Sequence, residues 1–269
     1  MRLRSWELSD REYQQRFGGL RRLYGDAAFA LLPQWHFCVI GIGGVGSWVV
    51  EAFARSGIGH LTLVDYDDIA AANINRQLHS LSETLGRKKI AVMKERVWQI
   101  NPDCQVDLID DFLTIDNHTE ILSRGYDYVV DAIDSIKFKA ALIYYCRRNK
   151  IPVMTTGGAG GLTDATMIRI DDLSRTWNDA LAAKVRARLR SDYGFSRNLK
   201  RRFGVDCVYS TQQPVYPKED GRVSHEKPGI HGLSLDCHLG YGASSCVTAS
   251  FGFMAASHVI NKTLNKKIG

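Results

Sequence analysis

Four glycines, Gly41, Gly43, Gly44 and Gly46, follow a run of apolar residues and precede a segment with helical periodicity. Glycines at this spacing permit a tight turn and let the backbone approach the phosphates of a nucleotide closely. The helix behind the turn points its first N–H groups at the same phosphates. Because this motif most often indicates a dinucleotide such as NAD, its chemistry depends on the polar residues that follow it.

Two carboxylates, Asp65 and Asp67, close the next predicted strand. Asp65 follows the glycines by about 20 residues, the spacing of a carboxylate that binds ribose hydroxyls in such folds. A strand-end cap is the alternative for Asp65, and Asp67 could order the following loop or help to hold a metal ion. We predict that Asp65 binds the ribose and that Asp67 belongs to the same site.

The next loop carries Asn73, Arg76 and Gln77, and a second cation, Lys89, follows at the start of a predicted helix. A dehydrogenase does not need these cations, whereas nucleotidyl transfer does, because a pentavalent α-phosphate carries extra negative charge in the transition state. Arg offers planar bidentate contacts and Lys a point charge. We predict that Arg76 and Lys89 are catalytic and that Asn73 binds phosphate beside them. Gln77 is expected to orient this loop, and a solvated loop is the alternative.

Asp131 and Asp134 end a later apolar run that is typical of a strand buried on both faces. A carboxylate at such a strand end can hold Mg²⁺ across the phosphates of ATP. We predict that Asp134 is the metal ligand and acts in catalysis, and that Asp131 is structural. The alternative for Asp134 is a cap of the next helix.

Strands and helices alternate with short connections from residue 37 to residue 156, after a helical N-terminal segment. This order predicts an α/β fold with a doubly wound, mostly parallel sheet of the Rossmann-like type. Ligands of such sheets lie at the carboxyl ends of the strands, so Gly41, Asp65 and Asp134 should converge. The predicted strands are 37–42, 61–65, 106–109, 128–133 and 153–156, and the helices are 47–56, 87–101, 118–122 and 137–149.

A single domain is expected over residues 1–269, because no internal repeat or low-complexity tract interrupts the chain. The alternation of strands and helices ends after a last strand, and an elaborated C-terminal half follows. The predicted parts are a helical segment at 1–33, a nucleotide-binding half at 34–160 and the elaborated half at 161–269. In that last half we predict a strand at 167–170, a helix at 184–189 and a turn at 220–221.

Basic residues are concentrated in one stretch of this half. The chain has a formal net charge of +6, and eight Lys and Arg residues against one acid lie in residues 184–202. Tyr193 and Phe195 are interleaved with them and could stack on nucleobases. A solvated charged face is the usual alternative, but beside a nucleotidyl-transfer site the stretch favours a nucleic-acid partner.

The six cysteines include no CxxC pair, and the first residues lack the apolar run of a secretory leader. Reduced thiols in a cytoplasmic protein are therefore expected, with Cys38, Cys104 and Cys146 in the core. The apolar stretch 243–260 contains several serines and a histidine, which favours a buried core helix over a membrane span. Peripheral association of this helix with a membrane is left open.

Together these motifs resemble those of the ubiquitin-activating-enzyme-like adenylyltransferases, which include activators of sulfur-carrier proteins in molybdopterin and thiamine synthesis. The shared motifs are Gly-x-Gly-Gly-x-Gly, Asp-x-Asp, Asn-x-x-Arg-Gln, a Lys after Gly86 and Asp-x-x-Asp, within residues 16–160. Within this superfamily the chain is most similar to the tRNA threonylcarbamoyladenosine dehydratases, from residue 10 to residue 265. That likeness rests on the segments 16–19, 23–25, 134–135, 145–152, 155–161 and 205–210.

The resemblance implies ATP-dependent dehydration of threonylcarbamoyladenosine at position 37 of the tRNA anticodon loop, through an acyl-adenylate and ring closure. It implies ATP and Mg²⁺ as cofactors, tRNA as the partner of the basic C-terminal half, and a homodimer. A monovalent cation, and cysteine-desulfurase or sulfur-acceptor proteins as partners, are left open.

Two departures separate the chain from the sulfur-carrier activators. Those relatives bind a structural zinc through two CxxC pairs; this chain has none, so no zinc is expected. Relatives also place an arginine, at the position of Gly19 here, in the partner subunit's ATP site. Arg16, Arg21 or Arg22 could replace it, and the choice between them is open.

Two other functions are weighed against dehydration. Adenylation of the C-terminus of a ubiquitin-like sulfur-carrier protein is the alternative reaction, against which the missing CxxC pairs count. A non-catalytic ATP-binding scaffold is disfavoured by the complete set of phosphate-handling residues. Some relatives use a cysteine for thioester or persulfide chemistry, but Asp206 beside Cys207 disfavours a thiolate there.

Overall fold

The computed structural model describes residues 9–218, 220–226 and 242–268. The strands are β1 (His36–Ile40), β2 (His60–Val64), β3 (Gln105–Ile109), β4 (Tyr128–Asp131), β5 (Val153–Thr156), β6 (Ile168–Asp172), β7 (Asp206–Ser210), β8 (Tyr216–Pro217) and β9 (Val223–Ser224). The helices are α1 (Asp10–Tyr24), α2 (Asp26–Leu31), α3 (Gly46–Arg55), α4 (Lys89–Ile100), α5 (His118–Leu122), α6 (Ile136–Arg148), α7 (Ala180–Asp192) and α8 (Ser245–Ile268).

Seven strands form one sheet in the order β3-β2-β1-β4-β5-β7-β6. Neighbouring strands are parallel except for β6 and β7, which are antiparallel. Strands β1, β4, β5 and β7 are almost entirely buried, as expected for a parallel sheet covered by helices on both faces. The predicted doubly wound α/β fold is confirmed. Strands β8 and β9 form a separate hairpin around the predicted turn at 220–221.

The N-terminal half follows the sequence closely, since each predicted strand and helix between residues 37 and 156 lies within two residues of an observed one. The C-terminal half departs further. Helix α7 begins four residues before the predicted start at Lys184, because the Asp179 side chain accepts from the N–H of Ala182 and caps the helix there. Strand β7 is not predicted from the sequence, and it exists because β5 and β6 pair with it on both sides.

The long C-terminal helix belongs to the core. Phe251, Ala255 and Val259 on α8 are fully buried. A Cβ at Gly252 would lie 2.6 Å from the Cβ of Trp48, so α8 and α3 pack with little room between their backbones. The expectation of a buried helix at 243–260 is confirmed, and none of the helices in the described ranges is long and apolar enough to cross a membrane.

The strand order opens a crevice next to β1. From this strand the sheet continues through β2 and β3 on one side and through β4, β5 and β7 on the other. Where the connections from two adjacent parallel strands run in opposite directions, they leave a gap at the carboxyl ends of these strands. Doubly wound sheets bind their ligands in this gap. Residues that directly follow β1, β2, β4 and β5 therefore face a common space.

A buried ion pair fixes the carboxyl end of β4. The Nζ of Lys139 lies 3.0 Å from Asp131 Oδ1, and the two side chains are at most 1% exposed. The hydroxyl of Thr155 donates to the same carboxylate at 2.7 Å. These contacts support the predicted structural role of Asp131.

We expect Asp131→Asn to lower the free energy of unfolding by about 3–5 kcal/mol, because Lys139 would keep a buried charge without a charged partner. Urea denaturation followed by circular dichroism measures this loss. Asp134→Asn, at an exposed neighbouring position, is the matched control and should unfold like the unaltered protein. An equal loss of stability in the two variants would contradict the assigned role of the ion pair.

Candidate functional site

A cleft of about 1270 Å³ opens at the carboxyl edge of the sheet. A pocket for one drug-sized ligand measures about 300–1000 Å³, so this cleft has room for a nucleotide and for part of a second reactant. Ten of the eleven predicted site residues line it, which places them together as expected. They are Gly41, Gly43, Gly44, Asp65, Asp67, Asn73, Arg76, Gln77, Lys89 and Asp134.

Two positions of the glycine turn require glycine. Gly41 has a φ of +88°, and a Cβ there would lie 2.9 Å from the carbonyl of Ala132. A Cβ at Gly46 would lie 1.8 Å from the Gly41 carbonyl oxygen, so Gly46 lets the turn close without lining the cleft. No side chain caps the N-terminus of α3. The N–H groups of Ser47 and Trp48 donate to the carbonyls of Gly43 and Val45, so the N–H groups of the turn at Gly44 and Val45, which line the cleft, are the ones available to a phosphate.

Asp65 directly follows β2 and links the glycine turn to the next loop. Its carboxylate accepts from the N–H of Ile42 at 2.6 Å and from the N–H of Asp67 at 2.9 Å. Burial raises the pKa of Asp65, whereas Lys89 and these two donors act in the opposite direction. The carboxylate has a fixed orientation, and its remaining lone pairs can accept hydrogen bonds from ribose hydroxyls.

Lys89 is a buried cation between two carboxylates. Its side chain is 6% exposed, and its Nζ donates to Asp67 Oδ2 at 2.6 Å and lies 4.0 Å from Asp65 Oδ1. Asp67 is half exposed at the edge of the cleft. The contact with Asp67 holds the Lys89 ammonium group at the edge of the cleft, where an anionic ligand would compete with Asp67 for it.

The loop that carries Arg76 is anchored by two helices. The Arg76 carbonyl accepts from the indole N–H of Trp48 in α3 at 3.1 Å and from the hydroxyl of Thr248 in α8 at 3.3 Å. A Cβ at Gly44 would lie 3.5 Å from the Arg76 side chain. The aliphatic part of the Arg76 side chain therefore lies beside the glycine turn on a fixed backbone, while the guanidinium donates to the carbonyl of Ala72.

Asn73 and Gln77 serve the loop itself. Asn73 Oδ1 accepts from the N–H of Ala70 and closes a short 3-10 turn, which leaves the NH₂ group of its amide for a ligand. Gln77 is 7% exposed, although it lines the cleft, and this burial fits the predicted role in orienting the loop.

Asp134 offers an unengaged carboxylate to the cleft. It lies three residues after β4 and is exposed. Ser135 is the N-cap residue of α6, and no side chain makes a capping hydrogen bond there. The alternative that Asp134 caps this helix is therefore not realised, and its oxygens are available to a ligand.

The cleft has a different lining beside β5, which β4 separates from the strand before the glycine turn. Gly157 and Gly158 follow β5, and Asp179 and Lys184 also line the cleft. The buried Asp179 carboxylate accepts from the Gly158 N–H at 2.9 Å, and a Cβ at Gly157 would lie 1.8 Å from one of its oxygens. The end of the cleft beside β5 therefore combines a closely packed backbone with a cation.

The sequence gives no indication of two aromatic residues at the nucleotide end. Tyr66 and Phe112 line the cleft with their rings stacked at 4.5 Å, and both are about half exposed. The Nζ of Lys88 lies over the Tyr66 ring at 4.5 Å. Tyr66 follows the predicted strand 61–65 directly and Phe112 follows the predicted strand 106–109 by three residues, and this position after strand ends is the signal that could have found them.

The two aromatic residues considered for stacking on nucleobases are partly buried and contact other aromatic rings of the protein. The Tyr193 ring lies 4.8 Å from the Tyr144 ring, and the Phe195 ring lies 4.9 Å from the Phe203 ring. Both pack against a hydrophobic core of buried residues. Trp177 is an exposed aromatic residue that precedes α7, directly before the cleft-lining Asn178, and the sequence does not single it out.

Cys207 is fully buried in β7, and burial raises its pKa well above the usual value. A buried neutral thiol supports the view that it is not a nucleophile. Cys237 lies outside the described residues. Of the arginines considered for a role across a dimer, Arg16 donates to the carbonyls of Gln99 and Ile100, and Arg21 pairs with Asp26.

The sequence and the fold have close counterparts. The ThiF family model matches residues 18–268. The tRNA threonylcarbamoyladenosine dehydratase of Escherichia coli (strain K12) is 54% identical over 94% of this chain and 95% of its own length. The enzyme of the same name from Haemophilus influenzae is 56% identical over 95% of each chain. A solved structure of the E. coli tRNA N6-threonylcarbamoyladenosine dehydratase in complex with ATP has a TM-score of 0.86 and 50% identity, and it covers 98% of this chain and 99% of that one.

The likeness to sulfur-carrier activators is more distant. The sulfur carrier protein ThiS adenylyltransferase of E. coli is 30% identical over 45% of this chain and 48% of its own length. The matched part is about the size of the nucleotide-binding half, whereas the dehydratases match both halves.

Proposed function

Because this chain belongs to the ThiF family, we infer that it is an ATP-dependent tRNA threonylcarbamoyladenosine dehydratase. The observation that carries this function is the single cleft with two unlike ends, one lined by the glycine turn and its cations and the other by Gly157, Gly158 and Lys184. Nucleotide and acceptor can meet there between β1 and β4. The dehydratases that resemble the chain over nearly its full length support the choice of substrate.

The reaction begins when the threonyl carboxylate of the modified nucleoside attacks the α-phosphate of ATP. A carboxylate–phosphate bond forms, the α–β bond breaks and pyrophosphate leaves. The carbamoyl group of the same nucleoside then attacks the activated carboxyl carbon, the ring closes, and AMP leaves with loss of one proton. The net change to the nucleoside is the loss of one water. Adenylation makes this loss possible because the carboxylate oxygen, which is a poor leaving group by itself, departs as part of AMP.

The residues divide this work between them. Arg76 and Lys89 stabilise the charge that develops on the α-phosphate, since both line the cleft together with the glycine turn before the reaction starts. Asp65 orients the ribose, and the N–H groups of the glycine turn bind phosphate oxygens. Tyr66 and Phe112 provide apolar surface for the base of the nucleotide.

A magnesium ion fits the donor set, since Mg²⁺ is usually bound by one or two carboxylates together with substrate phosphates. Asp134 would hold it, because this carboxylate is exposed to the cleft and makes no capping hydrogen bond at α6. When bound, the ion would neutralise phosphate charge. A monovalent cation stays an open question.

We expect Asp134→Asn to raise the Mg²⁺ concentration needed for half-maximal rate by about tenfold or more, because one anionic ligand is lost. Magnesium titrations of the initial rate at saturating ATP measure the shift. Asp111→Asn, at another carboxylate that lines the cleft, is the matched control. Identical magnesium curves for the Asp134 variant and the unaltered protein would remove this residue from the metal site.

The proposed function is tested with purified protein, ATP, Mg²⁺ and tRNA that bears threonylcarbamoyladenosine. Nucleosides are analysed by mass spectrometry under mild conditions, and an ATP-dependent loss of one water is expected. An unchanged nucleoside in the presence of folded, ATP-binding protein would overturn the function. Pyrophosphate exchange stimulated by a ubiquitin-like carrier protein would then favour the alternative reaction.

Three further predictions accompany this function. We propose a homodimer, to which the exposed Leu23 of α1 and Phe253 of α8 offer apolar surface, with Arg16, Arg21 or Arg22 reaching the partner's site. A cytoplasmic location is supported by the free thiols of the described cysteines. The third is the division of the chain into parts at 1–33, 34–160 and 161–269.

A further inference from the structure

We propose that Trp177 binds a nucleobase of the tRNA anticodon loop, next to the nucleotide that enters the cleft. This inference rests on the proposed function and assigns the part of the protein that positions its RNA substrate. The ligand is a flanking base, bound by stacking on the indole ring.

The first observation is the exposure of the Trp177 side chain. It is 53% exposed, whereas Trp35 in the core is 2% exposed. At the nucleotide end, Tyr66 and Phe112 already stack on each other, and Tyr193 is packed against Tyr144. Trp177 therefore presents a large aromatic surface to solvent directly before Asn178, which lines the cleft.

The second observation is that the ring is held on a rigid segment. Asn178 has a φ of +55°, which is rare for a residue with a side chain, and its Nδ2 donates to the Thr211 carbonyl at 2.9 Å. Asp179 is buried and accepts from the Ala182 N–H at 2.8 Å. A strained backbone that is fixed by its neighbours is typical of a functional site, and a preorganised ring loses little entropy when it binds.

The side chain of Trp177 also interacts with Tyr209. Burial raises the pKa of Tyr209, and Asp171 contributes in the same direction, whereas the interaction with Trp177 lowers it. Because Tyr209 belongs to β7, this interaction places the Trp177 side chain near the sheet.

The third observation is the location beside cations. Residues 178–181, which follow Trp177 directly, line the cleft together with Lys184. Arg175 is exposed two residues before the ring. Stacking surfaces flanked by cations are the usual arrangement for single-stranded nucleic acid, because the cations bind phosphates while every base has a face to stack. This charge favours an RNA base over an apolar segment of a protein partner.

The test compares Trp177→Ala, Trp177→Phe and the control Trp98→Ala, whose indole lies on α4 and is 39% exposed. Loss of a base stack corresponds to about a 5- to 150-fold weaker interaction, so Trp177→Ala should raise the KM for tRNA by that factor. The KM for ATP and the kcat at saturating tRNA should stay within about threefold. Trp177→Phe retains a ring and should recover most of the affinity for tRNA. If Trp177 had a purely structural role, the KM for tRNA would not change selectively in this way.

Binding is also measured without turnover, from the quenching of tryptophan fluorescence by tRNA in the absence of ATP. The unaltered protein should show a component of quenching that Trp177→Phe lacks and Trp98→Ala retains. If the unaltered protein carries out dehydration, either of two results would overturn the inference. One is a KM for tRNA in Trp177→Ala within twofold of the unaltered value, and the other is unchanged quenching in Trp177→Phe. Absence of dehydration in the unaltered protein would instead refute the proposed function.

Discussion

Replacing Arg76 with alanine is expected to lower the rate of dehydration by about 100- to 1000-fold, the usual effect of removing one donor that stabilises a developing charge. The Arg76 backbone is held by Trp48 and Thr248, so the loop should keep its course when the side chain is removed. The loss should therefore appear in the chemical step. Single-turnover formation of AMP and of the dehydrated nucleoside, at saturating ATP and tRNA, measures it.

Two further variants make the Arg76 result specific. Arg76→Lys keeps the charge but loses the planar pair of donors, and it should fall between alanine and the unaltered protein. Arg87→Ala removes an exposed arginine that pairs with Glu95 at 2.6 Å, and it should leave the rate within about threefold. A rate for Arg76→Ala within threefold of the unaltered protein would show that this residue does not stabilise the transition state, provided that thermal unfolding is unchanged.

The part of the site that depends on residues close together in the chain could be predicted from the sequence. Apolar runs of strand length, followed by glycine or aspartate, locate the ends of β1, β2 and β4, and a parallel sheet brings those ends to one edge. Gly41, Asp65 and Asp134 converge for this reason. The steric need for glycine at Gly46 also follows from local geometry, since a side chain there would collide with the preceding turn.

The rest depends on contacts between residues far apart in the chain. The pairing of Lys89 with Asp67 requires α4 to begin beside the loop after β2, which spacing alone does not determine. Asn73 resembles a ligand in sequence, yet its side-chain oxygen closes its own turn. Aromatic residues in a basic stretch suggested stacking at Tyr193, but the fold packs that ring and exposes Trp177 instead. Burial of a given ring is set by tertiary packing, which sequence pattern does not specify.

The buried position of Lys89 leads to the second large effect. Lys89→Met removes the cation that lies 2.6 Å from Asp67 and 4.0 Å from Asp65, and the two carboxylates then face the polyphosphate without a neutralising charge. We expect a loss of about 1000-fold in kcat/KM for ATP, at the upper end for one electrostatic group, because repulsion is added to the lost stabilisation. Initial rates of AMP release at varied ATP concentration measure this loss.

A second substitution distinguishes repulsion of ATP by the two carboxylates from the loss of its attraction to Lys89. Asp67→Asn in the Lys89→Met background removes one of the two unpaired carboxylates, so it should restore about tenfold of the lost rate, whereas the same change in the unaltered protein should lower the rate by freeing Lys89. The two substitutions are then non-additive, as expected for groups in direct contact. Lys94→Met is the control, since Lys94 lies on the same helix, packs its ammonium over Trp98 and lines no part of the cleft. Additive effects of the two changes would show that Asp67 and Lys89 act independently and would refute the holding role assigned to Asp67.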